Sequence, residues 1–268
     1  MIEIVPHGDV TCVKTATEQG GQAFFWVYSY LIGDALIDAG CANAAAEVRE
    51  FASKGEIERV FVTHAHEDHY GCCSVLERHA DIYAADQDIE MIKNPPRYGQ
   101  LFQTVWGQPA PVSKVRVMPD SFQVNDFTFE TVALPGHWPS MVGFLEPERR
   151  WLFSADAVPL PSKKKIGMPE ENIPQMIHTM ERLIEMDIEV LFDAHRGPIT
   201  DVVPHIQSRV DHLKGLQREA KRLHEEGYSI QEIQDSLGLE GPWYMEMTEK
   251  RFGIDILLRS LLFDEAEG

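Results

Sequence analysis

Long apolar runs are missing from this chain. None approaches the roughly 20 residues that a membrane-spanning helix needs, so a membrane partner is not expected. Positive charge is scarce too: 24 Lys and Arg stand against 43 Asp and Glu, for a formal net charge of −19. A surface this acidic repels phosphate backbones, which argues against a nucleic-acid partner. It leaves room for a small-molecule substrate, even an anionic one, because a local field can oppose the net one. Cysteine is limited to Cys12, Cys41, Cys72 and Cys73, whose spacing suggests no disulfide framework. The segment Met1 to Pro6 has neither a basic nor an apolar signal region. Together these points predict a cytoplasmic protein. Nothing in the sequence sets an oligomeric state.

One short run is dense in chemistry. Thr63-His64-Ala65-His66-Glu67-Asp68-His69 follows the apolar Val60-Phe61-Val62. It places four metal-ligand side chains in six positions, too densely for a chance surface patch. Other donors recur after strand-like runs. Gly136-His137 follows residues 127–134, Asp156 follows Trp151 to Ala155, and Asp193-Ala194-His195-Arg196-Gly197 follows Val190 to Phe192. Several strand ends could therefore converge on one site.

The HxHxDH run, the later GH, the SADA-type aspartate and the final HxG, in this order over roughly residues 1–200, resemble the metallo-β-lactamase superfamily. That resemblance implies an α/β fold: an αββα sandwich, catalytic over residues 1–203, with a small helical appendage over 204–268. It implies two divalent metal ions, with zinc favoured and iron or manganese compatible with the donors. His64, His66 and His137 would form the first metal site. Asp68, His69 and His195 would form the second, and Asp156 would bridge the two. Asp38, in Leu36-Ile37-Asp38-Ala39-Gly40, matches a family aspartate that orients ligands, a role suited to a carboxylate accepting a ligating imidazole's other N–H.

The implied reaction is hydrolysis of a thioester, lactone or related acyl ester by a hydroxide bridging the metals, with Asp68 and Asp156 as the catalytic carboxylates. Two alternatives of other classes are a diiron oxidoreductase or dioxygenase of the same fold, and a metal-binding sensor without turnover. The diiron branch typically carries glutamate where this chain has His66, and its flavodoxin-like domain is missing. Many lactonases of the superfamily, and glyoxalase II, carry a tyrosine between the bridging aspartate and the last histidine. None lies between Asp156 and His195, which lowers the lactonase reading; His178 is a weak substitute donor.

Elsewhere the pattern is strand, helix, strand, so part of a sheet should be parallel. Short strands are expected over residues 2–38, a helix over 43–53 and another over 71–79. Cys72-Cys73 reads as small buried residues on that second helix. Prolines break residues 86–119, where Tyr98, Phe102 and Trp106 recur every four positions, as a pocket wall or as core packing. Lys163-Lys164-Lys165 reads as a solvated charge run or a cationic loop beside the metals. Helices are expected over 174–186, 205–226, 230–237, opened by a Ser229–Glu232 capping box, and 250–263.

Overall fold

The computed structural model describes residues 1–55 and 57–266. By backbone contacts these fall into two compact units, neither continuous in sequence. The first comprises Met1–Ala133, Val142–Ala155 and Leu191–Ile199; the second comprises Leu134–Met141, Asp156–Val190 and Thr200–Gly268.

The first unit holds two sheets. One has seven strands in sequence order: β1 (Ile2–His7), β2 (Val10–Gln19), β3 (Gln22–Ile32), β4 (Ala35–Ile37), β5 (Arg59–Phe61), β6 (Asp81–Ala84) and β7 (Val115–Val117). Its first four strands pair antiparallel through tight turns, and β4 to β7 pair parallel. The parallel half is the strand–helix–strand region, because parallel neighbours need a crossover. Helix α1 (Ala45–Lys54) carries the chain from β4 to β5, and α2 (Glu67–Tyr70) and α3 (Cys73–Leu76) carry it from β5 to β6. Two short helices thus replace the one expected over 71–79. Between β6 and β7 lie α4 (Ile89–Lys93) and α5 (Gln100–Val105).

The second sheet runs β13-β12-β11-β10-β9-β8, built from β8 (Ser121–Val124), β9 (Phe127–Ala133), β10 (Val142–Glu146), β11 (Trp151–Ala155), β12 (Val190–Asp193) and β13 (Gly197–Ile199). Aromatic side chains join the sheets. Phe61 of β5 stacks on Phe122 of β8, with centroids 3.8 Å apart, and Tyr30 of β3 meets Phe153 and Phe192 edge-on at 5.3 and 5.2 Å. Each buried ring of this kind contributes about 2–3 kcal/mol of transfer free energy. With its sheets face to face, every apolar strand end lies at a rim, where loops carry function.

The second unit is helical: α6 (Ile173–Glu185), α7 (Val202–Glu225), α8 (Ile230–Ser236) and α9 (Ile254–Phe263). Ala220, Leu223, Ile233, Ile254 and Leu258 form its core. The Ser229–Glu232 capping box opens α8 as expected. Helix α9 begins at Ile254 rather than near residue 250, because Glu249 and Lys250 take left-handed φ of 54° and 68°. No helix among the described residues is long and apolar enough to cross a membrane.

Candidate metal centre

Buried β5 ends at Phe61, and the chain enters α2 through Thr63 to His66. His64, His66, Asp68 and His69 are all buried. Asp38, just beyond β4, fixes this entry. It sits at φ 59°, the left-handed region that Asp tolerates better than most residues. Its Oδ1 accepts the Thr63 N–H at 2.8 Å, and its Oδ2 accepts the Thr63 hydroxyl at 2.9 Å and His69 Nδ1 at 2.8 Å. The strand-end turn and the ligand-orienting contact are thus one feature.

These contacts assign tautomers. The Thr63 hydroxyl gives its proton to Asp38, so its lone pair accepts from His64 Nδ1 at 3.0 Å. His69 Nδ1 is committed to Asp38. His195 Nδ1 donates to the Trp26 carbonyl at 3.1 Å. In all three rings Nε2 is left as the nitrogen that could hold a metal ion, the usual arrangement around a metal. His66 differs: its Nδ1 lies 3.0 Å from His64 Nε2, so Nδ1 is the atom it could offer beside His64. Asp193 shapes the last motif by accepting the His195 and Arg196 N–H groups, each at 2.8 Å, and pairing with the Arg196 guanidinium at 3.1 Å.

The donor atoms of Asp68, His69 and His195 lie within 4.8 Å of one another. His69 Nε2 and His195 Nε2 stand 3.7 and 3.6 Å from Asp68 Oδ2. Ligands about 2.1 Å from a tetrahedral ion are separated by about 3.4 Å, so this trio fits a divalent cation.

In the second unit, His137 Nε2 lies 3.3 Å from Asp156 Oδ2, and His137 Nδ1 donates to Glu171 Oε1 at 3.0 Å. Burial pushes the His137 imidazole down, but the hydrogen bonds and charges of Asp156 and Glu171 outweigh it and raise it to about 9. Burial likewise raises the Glu171 carboxyl, and the Lys164 ammonium with His137 outweighs that and lowers it to about 2. Gly136 lets the loop lie on α6. It has φ +131°, and a Cβ there would meet Met176 Cα at 2.4 Å and Met176 N at 2.5 Å. At the other motif, Ala155 takes φ 48° at the end of β11, turning the chain out of the strand just before Asp156.

Residues 86–119 divide. Tyr98 and Phe102 are buried, and Tyr98 exchanges a hydrogen bond with Tyr70 at 3.0 Å. Both are packing. Trp106 approaches a motif residue: its ring lies 6.2 Å from that of His195 and 6.1 Å from that of exposed Phe25. Cys72 and Cys73 are buried, as expected. Lys163 and Lys165 are exposed, whereas Lys164 pairs with Glu171 at 2.9 Å and so leaves the solvated run. His178 lies half-buried on α6. Sequence reading missed Glu171, buried in a loop without pattern and 34 residues from its histidine.

Residues 25–195 match the metallo-beta-lactamase superfamily. This chain belongs to that family. Hydroxyacylglutathione hydrolase GloC from Haemophilus influenzae is 24% identical over 155 residues, which cover 53% of this chain and 70% of the relative. Among solved structures, a metallo-beta-lactamase family protein from Thermus thermophilus superposes with a TM-score of 0.67 at 17% identity, covering 94% of this chain and 91% of the other. A beta-lactamase domain protein from Burkholderia ambifaria gives 0.67 at 17%, covering 97% and 84%. At these identities the structures establish the shared metallo-β-lactamase fold. The His and Asp groups together with the superfamily indicate divalent metal binding.

Proposed function

We propose that this chain is a dinuclear metal-dependent hydrolase of thioesters, lactones or related acyl esters, with a thioester favoured. His64, His66 and His137 hold one ion, Asp68, His69 and His195 hold the other, and Asp156 serves both. The observation that carries the reading is the Asp68–His69–His195 trio, whose spacing suits a cation and whose imidazoles are each oriented by a hydrogen bond that Nδ1 donates. By the superfamily motif, His64, His66, His137 and Asp156 would add three imidazoles and a carboxylate, donor types that zinc accepts. The thioester preference follows from the relative named a hydroxyacylglutathione hydrolase.

When bound, a pair of divalent ions lowers the pKa of a shared water from about 15.7 toward neutrality and polarises the acyl carbonyl. Asp68 accepts a hydrogen bond from the attacking water and aims it. Asp156 fixes the spacing of the two sites. Trp106 and exposed Phe25 offer the acyl group an aromatic surface beside His195. No side-chain nucleophile is required, consistent with four buried thiols.

The test is a hydrolysis screen of zinc-loaded protein against S-lactoylglutathione, other thioesters, lactones, β-lactams and phosphodiesters, with His66→Ala as control. Acyl-ester turnover lost together with bound metal in the variant is the expected result. A fully metallated His66→Ala of unchanged activity, or a visible iron spectrum with no hydrolysis, would sink the proposal.

A further inference from the structure

We infer that Glu171, clamped by Lys164, is the positioning residue for His137; this rests on the reading of His137 as a metal ligand. Glu171 directly precedes the N-cap of α6, where the Asn172 side chain accepts from Gln175 N–H at 2.8 Å. Its carboxylate is almost fully buried and each oxygen is spoken for. Oε1 accepts from His137 Nδ1 at 3.0 Å and from Lys164 Nζ at 2.9 Å, and Oε2 accepts the Met168 N–H at 3.0 Å. An ordinary buried ion pair would need only the lysine. Here the carboxylate spans the lysine and the ring nitrogen on the far side of the imidazole from Nε2. That arrangement holds a ligating histidine in one orientation.

The surroundings fix the clamp. The Asn172 N–H donates to the Gly136 carbonyl at 2.8 Å, and the Thr179 hydroxyl donates to the Pro135 carbonyl at 2.6 Å. The start of α6 therefore grips the backbone before His137 while Glu171 grips its ring. His212 of α7 donates from Nε2 to the Lys164 carbonyl at 3.1 Å, and Gly167 exchanges two backbone hydrogen bonds with Gly253 at the start of α9, at 2.9 and 3.0 Å. Ser260 of α9 accepts the Ile173 N–H at 2.8 Å. The C-terminal helices α7 and α9 thus brace the loop and helix start that carry Lys164 and Glu171.

Zinc affinity of the full chain, measured by competition with a chromophoric chelator, tests this. Glu171→Ala should weaken one zinc-binding step by roughly 10–100-fold. Glu171→Gln, whose amide oxygen can still accept the Nδ1–H, should recover most of that loss and keeps the test open if the alanine variant fails to fold. In a His137→Ala background, adding Glu171→Ala should change zinc affinity by less than about twofold, since the two then act as one unit. Wild-type affinity in Glu171→Ala, or a full further loss in the double variant, overturns the positioning role alone. A wild-type chain that takes up no zinc overturns the metal-centre reading itself.

Discussion

Replacing Gly136 by alanine probes how the helical unit carries His137. The added Cβ would lie 2.4 Å from Met176 Cα and 2.5 Å from Met176 N, whereas carbon contacts settle at about 3.5 Å or more. The loop must then back off α6 by roughly 1 Å. It cannot do so freely, because the Asn172 N–H to Gly136 carbonyl bond and the Thr179 to Pro135 bond hold it down. Overpacking of this kind costs about 1–3 kcal/mol. Holding an alanine at φ +131° adds about 1–3 kcal/mol. The sum, about 2–6 kcal/mol, lowers the thermal midpoint of a chain this size by roughly 5–20 °C. Metal ligation tolerates only about 0.2 Å of error in ligand distance, so under the proposed function a shift of roughly 1 Å at residue 136 should also strip the ion assigned to His137. Differential scanning calorimetry with elemental zinc analysis reads both effects. Trimming Met176 to alanine should not rescue the variant, because the two nearest atoms belong to the Met176 backbone. A Gly136→Ala protein that melts with the wild type and keeps its full zinc refutes the close-approach account, and so does rescue by Met176→Ala.

Phe102→Ala should cost about 3–5 kcal/mol of stability with an equal activity factor on every acyl chain, because the ring is buried. Trp106→Ala should shift kcat/KM differently for long and short acyl chains, and equal factors for Trp106 would remove it from the pocket wall. Ellman's reagent at pH 8 should find no reactive thiol in the folded chain and four after denaturation, since Cys12, Cys41, Cys72 and Cys73 are all buried. Burial pushes the Cys41 thiol from 9.0 up to about 11. Its contribution to stability is therefore complete below about pH 9, where the unfolded thiol begins to ionise, and is lost as pH rises to about 11. Urea midpoints that stay flat from pH 8.5 to 11 would contradict this. Ser229→Ala should cost about 1 kcal/mol through the lost cap of α8 and leave zinc affinity unchanged.

What could be read before folding was whatever chemistry is written locally. HxHxDH packs its donors into one turn after a buried strand, so its meaning survives without a third dimension. Asp38 was legible through the resemblance, which implies its ligand-orienting role, and as a residue at the end of an apolar run. The strand order was not, because pairing β4 with β5 and β5 with β6 is decided by which apolar faces the crossover helices cover. The aromatics of residues 86–119 could not be assigned from their spacing. Tyr98, Phe102 and Trp106 recur every four positions, yet α5 spans only Gln100–Val105, so Tyr98 lies before the helix and turns to Tyr70.

Glu171 marks where local reading ends. It is adjacent to Glu170, and no property of the two letters separates them. In the fold Glu170 faces Arg251 at 3.6 Å, while Glu171 turns inward to His137 and Lys164. The difference is set by the backbone at the start of α6, where Asn172 caps the helix and donates its N–H to Gly136. A carboxylate fixed at that point has one direction left in which its charge can be offset, and that direction contains a histidine ring and a lysine. The same reasoning makes Lys164 distinct from Lys163 and Lys165. Of the three equivalent-looking cations, only the one whose carbonyl His212 holds in place is carried down onto the buried carboxylate. Residues that act through a ligand are thus specified by the elements that carry them, here α6, α7 and α9, and a motif scan limited to donors passes over them.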